Sequence, residues 1–301
     1  LKADPYGTCT EAFPATASIV DKAAGDITWT DDFWMAERKK YADRNQPVSI
    51  YETDLTQWKN GEELVSFVKK LGYTHVELHP VMGYLDEESG PYSTFSYYAP
   101  DRRYGVPEDF ARLVNELHKE NIGVILDWTP AHFPRHGEGL ECFDGTPLYE
   151  VPDPAMAVHP MWGTLLYNYE SPMVKDFLIA NAFYWTEVYH VDGFRVDDVD
   201  SMLYLDYGGE GESWRPNLYG TNEKPGVSRI SEASEFSYEE KAPRCSYVSL
   251  RRTDCGRSLQ MMWKTIILVL TINGTITGPV ILFIIWSWIP FSVSMTMISL
   301  L

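Results

Sequence analysis

An arginine and an aspartate two residues apart carry the first chemistry in this chain. In Asp192-Gly193-Phe194-Arg195-Val196-Asp197 the glycine and apolar residues read as a short buried strand. Side chains two apart in a strand share a face, so Arg195 and Asp197 project together. A cation beside a carboxylate holds it ionised at neutral pH, the state in which it acts as a nucleophile. The same pair also describes an ordinary salt bridge at a strand end, and only its context separates the two readings.

That context is a repeated alternation of elements. Residues 48–52 are strand-like, 62–71 follow an amphipathic helical pattern, and His75-Val76-Glu77-Leu78 reads as a second strand. Residues 107–120 form a helix opened by Pro107, Gly123-Val124-Ile125-Leu126-Asp127 a third strand, 172–190 a long helix, and 193–197 the fourth strand. Strands separated by helices predict a parallel sheet with covering helices, and its strand ends carry charged or polar residues where a (β/α)8 barrel keeps its active site. The connections 81–107 and 128–169 are long, aromatic and rich in Gly and Pro, which marks them as functional rather than disordered. Residues 1–46 hold Gly, Pro and Thr punctuation and end in a charged run, and read as the tail of an upstream domain plus a linker.

Composition narrows the partners. The 301 residues carry a formal charge of -18, and since the stretch after residue 240 is net basic, the body before it is more acidic still. Such a body argues against nucleic acid and fits a neutral or polyhydroxyl substrate. The four cysteines, Cys9, Cys142, Cys245 and Cys255, show neither zinc-site spacing nor a disulfide framework, so a reducing cytoplasm is the expected location. Aromatic residues make up 14% of the chain, which suits sugar stacking and equally a well-filled core. The chain opens at Leu1 without an initiator Met or a signal-peptide pattern and is read as a fragment.

Longer phrases at the strand ends carry a resemblance. They are Ala3-Asp4-Pro5-Tyr6-Gly7, Leu71-Gly72-Tyr73-Thr74-His75-Val76-Glu77-Leu78, Tyr97-Tyr98-Ala99-Pro100, Arg103-Tyr104-Gly105 and Pro107-Glu108-Asp109-Phe110. To these add Gly123-Val124-Ile125-Leu126-Asp127-Trp128-Thr129-Pro130-Ala131-His132-Phe133-Pro134, Trp162-Gly163-Thr164, the 192–197 strand, and Ser201-Met202-Leu203-Tyr204-Leu205-Asp206-Tyr207. Over residues 1 to about 223 the chain resembles the catalytic barrel of glycoside hydrolase family 13, and within it the bacterial glycogen-branching group, which the last phrase separates from the amylases. The resemblance implies that Asp197 is the nucleophile of a retaining reaction and that Arg195 keeps it ionised and oriented. It further implies that Asp127 organises the site, that His132 hydrogen-bonds a sugar hydroxyl, and that a sugar stacks on Tyr92. The implied substrate is an α-1,4-glucan such as glycogen or amylose, cut and rejoined through an α-1,6 link, with no cofactor and no metal. An amylase-type hydrolase on the same barrel is the alternative within the enzymes, and a non-catalytic membrane-associated remnant the alternative outside them.

A retaining enzyme needs a second carboxyl about 5 Å from the nucleophile, as acid and then base. Counting at the family's usual spacing from Asp197 reaches Leu250, which is no acid; Glu232, in Ile230-Ser231-Glu232-Ala233-Ser234, comes too early and is a weak candidate. From residue 265 onward there is no charged residue, but Gly and Pro interrupt the apolar runs before they reach the ~20 residues of a membrane span. A frame-shifted or otherwise non-native tail explains both features, and a membrane partner is not expected. The predicted fold is therefore α/β: a partial (β/α)8 TIM barrel of about four strand-helix units. Residues 1–46 would be the end of an N-terminal β-sandwich domain and its linker, 47–223 the first half of the catalytic barrel, and 224–301 an aberrant hydrophobic tail. Such a chain is expected to be inactive for want of the general acid.

Overall fold

The computed structural model describes residues 1–20, 28–41, 47–207, 215–224, 226 and 227, together with three strands at 247–251, 263–268 and 282–286; side chains are described for all of these except 39–41 and the three last strands.

Four short strands, β1 (Ile50–Thr53), β2 (His75–Leu78), β5 (Gly123–Trp128) and β8 (Gly193–Val196), lie side by side in that order and run parallel. Parallel neighbours need long crossovers, and helices supply them. Helix α2 (Gly61–Leu71) joins β1 to β2. It begins where the Asn60 side chain accepts the Glu63 N–H at 3.0 Å, carries Glu62 and Glu63 in its first turn and Lys69 and Lys70 in its last, and stops at Gly72 in the left-handed region. Its buried face is Leu64 and Val68, one turn apart. Helix α3 (Pro107–Lys119) leads into β5 with Pro at its first position, and the Asp109 carboxylate accepts the Val106 N–H at 2.9 Å. It buries Phe110, Leu113, Val114 and Leu117. Helix α5 (Pro172–Val188) leads into β8 and buries Val174, Phe177, Leu178 and Trp185. Gly123 opens β5 because any Cβ there would sit 2.5 Å from the His75 ring.

The two long connections are built, not loose. One holds the hairpin of β3 (Met82–Tyr84) and β4 (Thr94–Pro100), and the other holds the pair β6 (His132–Phe133) and β7 (Leu165–Leu166) with the short α4 (Pro154–Ala157) between them. After β8 comes α6 (Val199–Leu203).

Beyond residue 223 the sheet continues. Strand β9 (Tyr247–Arg251) runs parallel to β8 with Leu250 opposite Val196, and β10 (Trp263–Leu268) and β11 (Leu282–Trp286) follow antiparallel. Five parallel strands in succession make a partial barrel, one more than the sequence pattern supplies, and the antiparallel pair departs from the strand-helix alternation. Among the described residues no helix is long and apolar enough to cross a membrane.

Described residues of the N-terminal segment pack against the hairpin strand β4, helix α5 and the start of β8. Tyr6 meets Tyr98 and Phe177 at ring distances of 5.1 and 5.4 Å, and Cys9 is buried. Within residues 1–41 the described secondary structure is α1 (Asp32–Tyr41) and a single bridge pair, Thr10 with Ser18. Trp34 and Arg38, one helical turn apart in α1, are both buried against Asp192 at the start of β8. Asp192 accepts from Trp34 Nε1 at 2.9 Å and from the Val124 N–H at 2.8 Å, with His118 Nε2 at 3.0 Å. His118 Nδ1 in turn meets Asp31 at 2.7 Å, which also takes His190 Nδ1 at 2.9 Å. This buried charge network ties the N-terminal segment to the strand beginnings, the end of a barrel that serves stability.

Candidate active site

Register places the opposite end of the sheet. Glu52 pairs with Glu77, Glu77 with Ile125, and Asp127, two residues further on, with Arg195. Side chains in register, or two apart, share a face, so four charged groups from four neighbouring strands converge at the strand ends.

Arg195 is the hub, 3% exposed. Its Nη1 donates to Asp127 Oδ2 and, at 3.1 Å, to the Tyr92 hydroxyl; Nε lies 3.5 Å from Glu77 and Nη2 3.6 Å from Asp197. Tyr92, from the loop of the β3–β4 hairpin, donates its own hydroxyl to Asp127 at 2.5 Å. Its ring stands 5.8 Å from that of His79, which follows β2 and pairs with Glu52 at 3.3 Å and Asp54 at 3.6 Å.

This crowding sets the protonation states. Burial pushes the Asp127 carboxyl above its usual range and Glu77 adds to the rise, while Arg195 pulls it down. The hydrogen bond to Glu52 raises His79 against its burial, with Asp127 adding to the rise. Burial raises the Tyr92 hydroxyl well beyond its ordinary value, so it stays a donor. Asp197 keeps part of its surface in solvent, its side chain 16% exposed, with the guanidinium beside it. A carboxylate so placed is reachable from solvent and faces a fixed cation.

Asp198, the next residue, turns the other way. It is buried, with φ at 54°, and takes the Ser201 hydroxyl, with His159 Nε2 at 3.1 Å and His132 Nε2 at 3.8 Å. Burial lowers His132 to about 4, so at neutral pH it is a neutral imidazole that offers one donor and one acceptor. Its Nδ1 is buried without a hydrogen-bond partner among the described residues. Lys224 Nζ donates to the Ser201 carbonyl at 2.5 Å, and burial pulls this amine down to about 8, opposed by Asp198.

Of the sequence-derived site residues, Tyr92, Asp127, Arg195 and Asp197 meet directly around one guanidinium, and His132 joins them on the Asp198 side. Glu232 lies outside the described residues. Leu250 sits on β9, at the level of Val196 on the neighbouring strand, so the position reached by counting is beside the site and holds no acid. Glu52, Glu77, His79, Asp198 and His159 were not anticipated. A charged residue in a short buried strand was the signal for Glu77, and the extra acid in Asp197-Asp198 the signal for Asp198. Glu52, Glu77 and Asp127 each bring one oxygen within 4.8 Å of the others, spacing that admits a cation, although Arg195 already supplies positive charge to two of them.

Known proteins match this chain in sequence and in fold. The alpha amylase catalytic domain family matches residues 58–144. A 1,4-alpha-glucan branching enzyme of Thermobifida fusca is 48% identical over 229 residues, covering 74% of this chain and 30% of that protein. The 1,4-alpha-glucan branching enzyme of Methylococcus capsulatus is 46% identical over 235 residues, covering 74% of this chain and 32% of its own length. The chain thus spans about a third of the curated relatives it matches. A solved structure described as an alpha amylase from Salmonella typhimurium superposes with a TM-score of 0.60 at 21% identity, over 83% of this chain and 38% of that one. A pullulanase from Paenibacillus barengoltzii, solved with maltohexaose and alpha-cyclodextrin, gives 0.50 at 20% identity, over 67% and 38%. With the converging strand-end residues and the parallel sheet beneath them, these matches make the chain similar to the alpha amylase catalytic domain family and, over about three quarters of its own length, to the 1,4-alpha-glucan branching enzymes.

Proposed function

We propose that this chain carries the donor half of a 1,4-alpha-glucan branching site, in a protein that cuts an α-1,4-glucan and rejoins it through an α-1,6 link. The observation that carries this reading is the single guanidinium of Arg195 reaching Asp127, Tyr92, Glu77 and Asp197 at once. In the proposed reaction the Asp197 carboxylate attacks the anomeric carbon while the bond to the leaving glucan oxygen breaks, and a 6-hydroxyl of another chain later displaces the aspartate. Arg195 holds Asp197 ionised, Tyr92 offers its ring to the sugar, and neutral His132 and Asp127 take its hydroxyls. The leaving oxygen needs a proton, and no carboxyl at Leu250 provides it. The chain is therefore proposed to bind glucan and to branch none.

Residues 1–46 are proposed to end an upstream β domain, 47–223 to form the first half of the barrel, and 224–301 to be non-native sequence. Cys142 is a free thiol, which fits a reducing cytoplasm as the proposed setting.

Native gels cast with and without amylose test the reading. The full chain should be retarded by amylose, with no gain of branch points and no release of reducing ends. Unretarded mobility would contradict the reading. Reducing ends released without branching would favour the amylase-type alternative.

A further inference from the structure

His159 is buried, yet it fixes an exposed turn. Its Nδ1 accepts the backbone N–H groups of Met161 and Trp162, both at 3.2 Å. A ring nitrogen that accepts carries no proton, so the ring proton of His159 belongs on Nε2, 3.1 Å from Asp198 Oδ2. The turn closes where the Gly163 N–H donates to the His159 carbonyl at 2.9 Å, with Gly163 at a φ of 66°. One Asp198 oxygen thus lies 3.8 Å from the imidazole beside the site, His132, and 3.1 Å from the imidazole that holds this turn.

What the turn presents is an indole. Trp162 is 55% exposed although its backbone is pinned on both sides. Its ring lies 6.2 Å from that of His159, the Tyr207 ring lies 5.5 Å from His159 on another approach, and His159 stands 5.4 Å from His132. The Tyr207 hydroxyl reaches the Met161 sulfur at 3.9 Å, which joins the two aromatic segments along one rim. A rigid, half-exposed aromatic next to a polar site offers a flat apolar surface with solvent at its edge, which suits a sugar ring whose C–H face stacks while its hydroxyls stay wet.

We propose that Trp162, held by His159 and Asp198 and flanked by Tyr207, is a stacking platform for a glucan residue further along the chain from the one seated on Tyr92. The proposal rests on the α-glucan reading of the site. It makes Trp162 a residue that measures length: a short oligosaccharide spanning only the Tyr92 end does not reach it, and a longer one does.

Isothermal titration of the full chain with maltose and with maltoheptaose tests it, comparing the wild-type chain with Trp162→Ala and Trp162→Phe. Because the side chain is exposed, both variants should keep the wild-type circular dichroism and thermal midpoint. Trp162→Ala should weaken maltoheptaose binding about tenfold, a loss of ~1.4 kcal/mol, and leave maltose unchanged, while Trp162→Phe should keep most of the affinity. Wild-type binding of maltoheptaose with an unchanged constant in Trp162→Ala would overturn the platform and leave the donor-site reading standing. Absence of binding of either sugar to the wild-type chain would overturn that reading, and the platform with it.

Discussion

Asp127 and Arg195 stand opposite each other on β5 and β8, and Arg195 Nη1 donates to Asp127 Oδ2 between the strands. Asp127 is fully buried and Arg195 nearly so. Neither charge would be tolerated there alone, and each additional partner of Arg195 is a group that the proposed sugar site would need in a fixed place.

Replacing Arg195 should therefore cost stability as well as binding. Arg195→Ala leaves the buried Asp127 carboxylate, and the partly buried Glu77 beside it, without their cation, and breaking a buried pair in this way costs about 3–5 kcal/mol. Arg195→Lys keeps the charge but not the planar fork that reaches four partners, and should fall between. Urea unfolding of the three proteins checks the order wild type, Lys, Ala.

Tyr92 has two functions that substitution separates. Tyr92→Phe keeps the ring and removes the hydroxyl that donates to Asp127 at 2.5 Å, a charge-assisted bond worth about 1.5–3 kcal/mol. Tyr92→Ala removes the ring as well. The first should lower the unfolding free energy and retain measurable maltoheptaose binding; the second should abolish binding, as read by titration calorimetry.

The network at the strand beginnings should give stability a pH dependence on two sides. Burial pulls His118 down, but Asp192 and Asp31 more than reverse this and leave it raised. Its contribution is present below the unfolded value near 6.5 and is lost as pH rises through the higher folded value. Burial pushes Asp192 up, but His118 and Arg38 hold it down to about 2. That contribution is present above the unfolded value near 4 and is lost as pH falls toward 2. The thermal midpoint should peak between the two arms, and His118→Gln should flatten the alkaline arm while retaining part of the acid one.

Much of the sheet was legible in the sequence because local pattern determines it. Strands β2, β5 and β8 fall within a residue of their expected bounds, each a short apolar run closed by glycine or a helix end. Asp127, His132, Arg195 and Asp197 were legible because they stand in phrases long enough to resemble a family, whereas Tyr92, in a segment that departs from it, was carried over as a single residue. Glu52 and Glu77 were not, since their convergence with Asp127 depends on how three strands register, which no single stretch specifies. Helix α1 was read as linker because its buried residues, Trp34 and Arg38, look like a surface pair until Asp192 is placed beside them. His159 and Trp162 were likewise invisible as a unit, because the carboxylate that holds them lies in the strand-end phrase 36 residues past the indole. Strand β9 was missed because its segment, 247–251, carries no helix-strand rhythm and none of the family's acidic residues.

If Asp197 is a poised nucleophile whose site lacks its acid, an α-maltosyl fluoride donor reveals it. Fluoride leaves with the electron pair of the C1–F bond and needs no proton, so the missing acid is bypassed. The Asp197 carboxylate then forms an ester to C1, which persists because no base activates an acceptor. Mass spectrometry of the digested full chain should find one maltosyl unit on the peptide containing Asp197, and none in Asp197→Asn. No adduct on the wild-type chain, or an adduct that survives Asp197→Asn, would contradict the account.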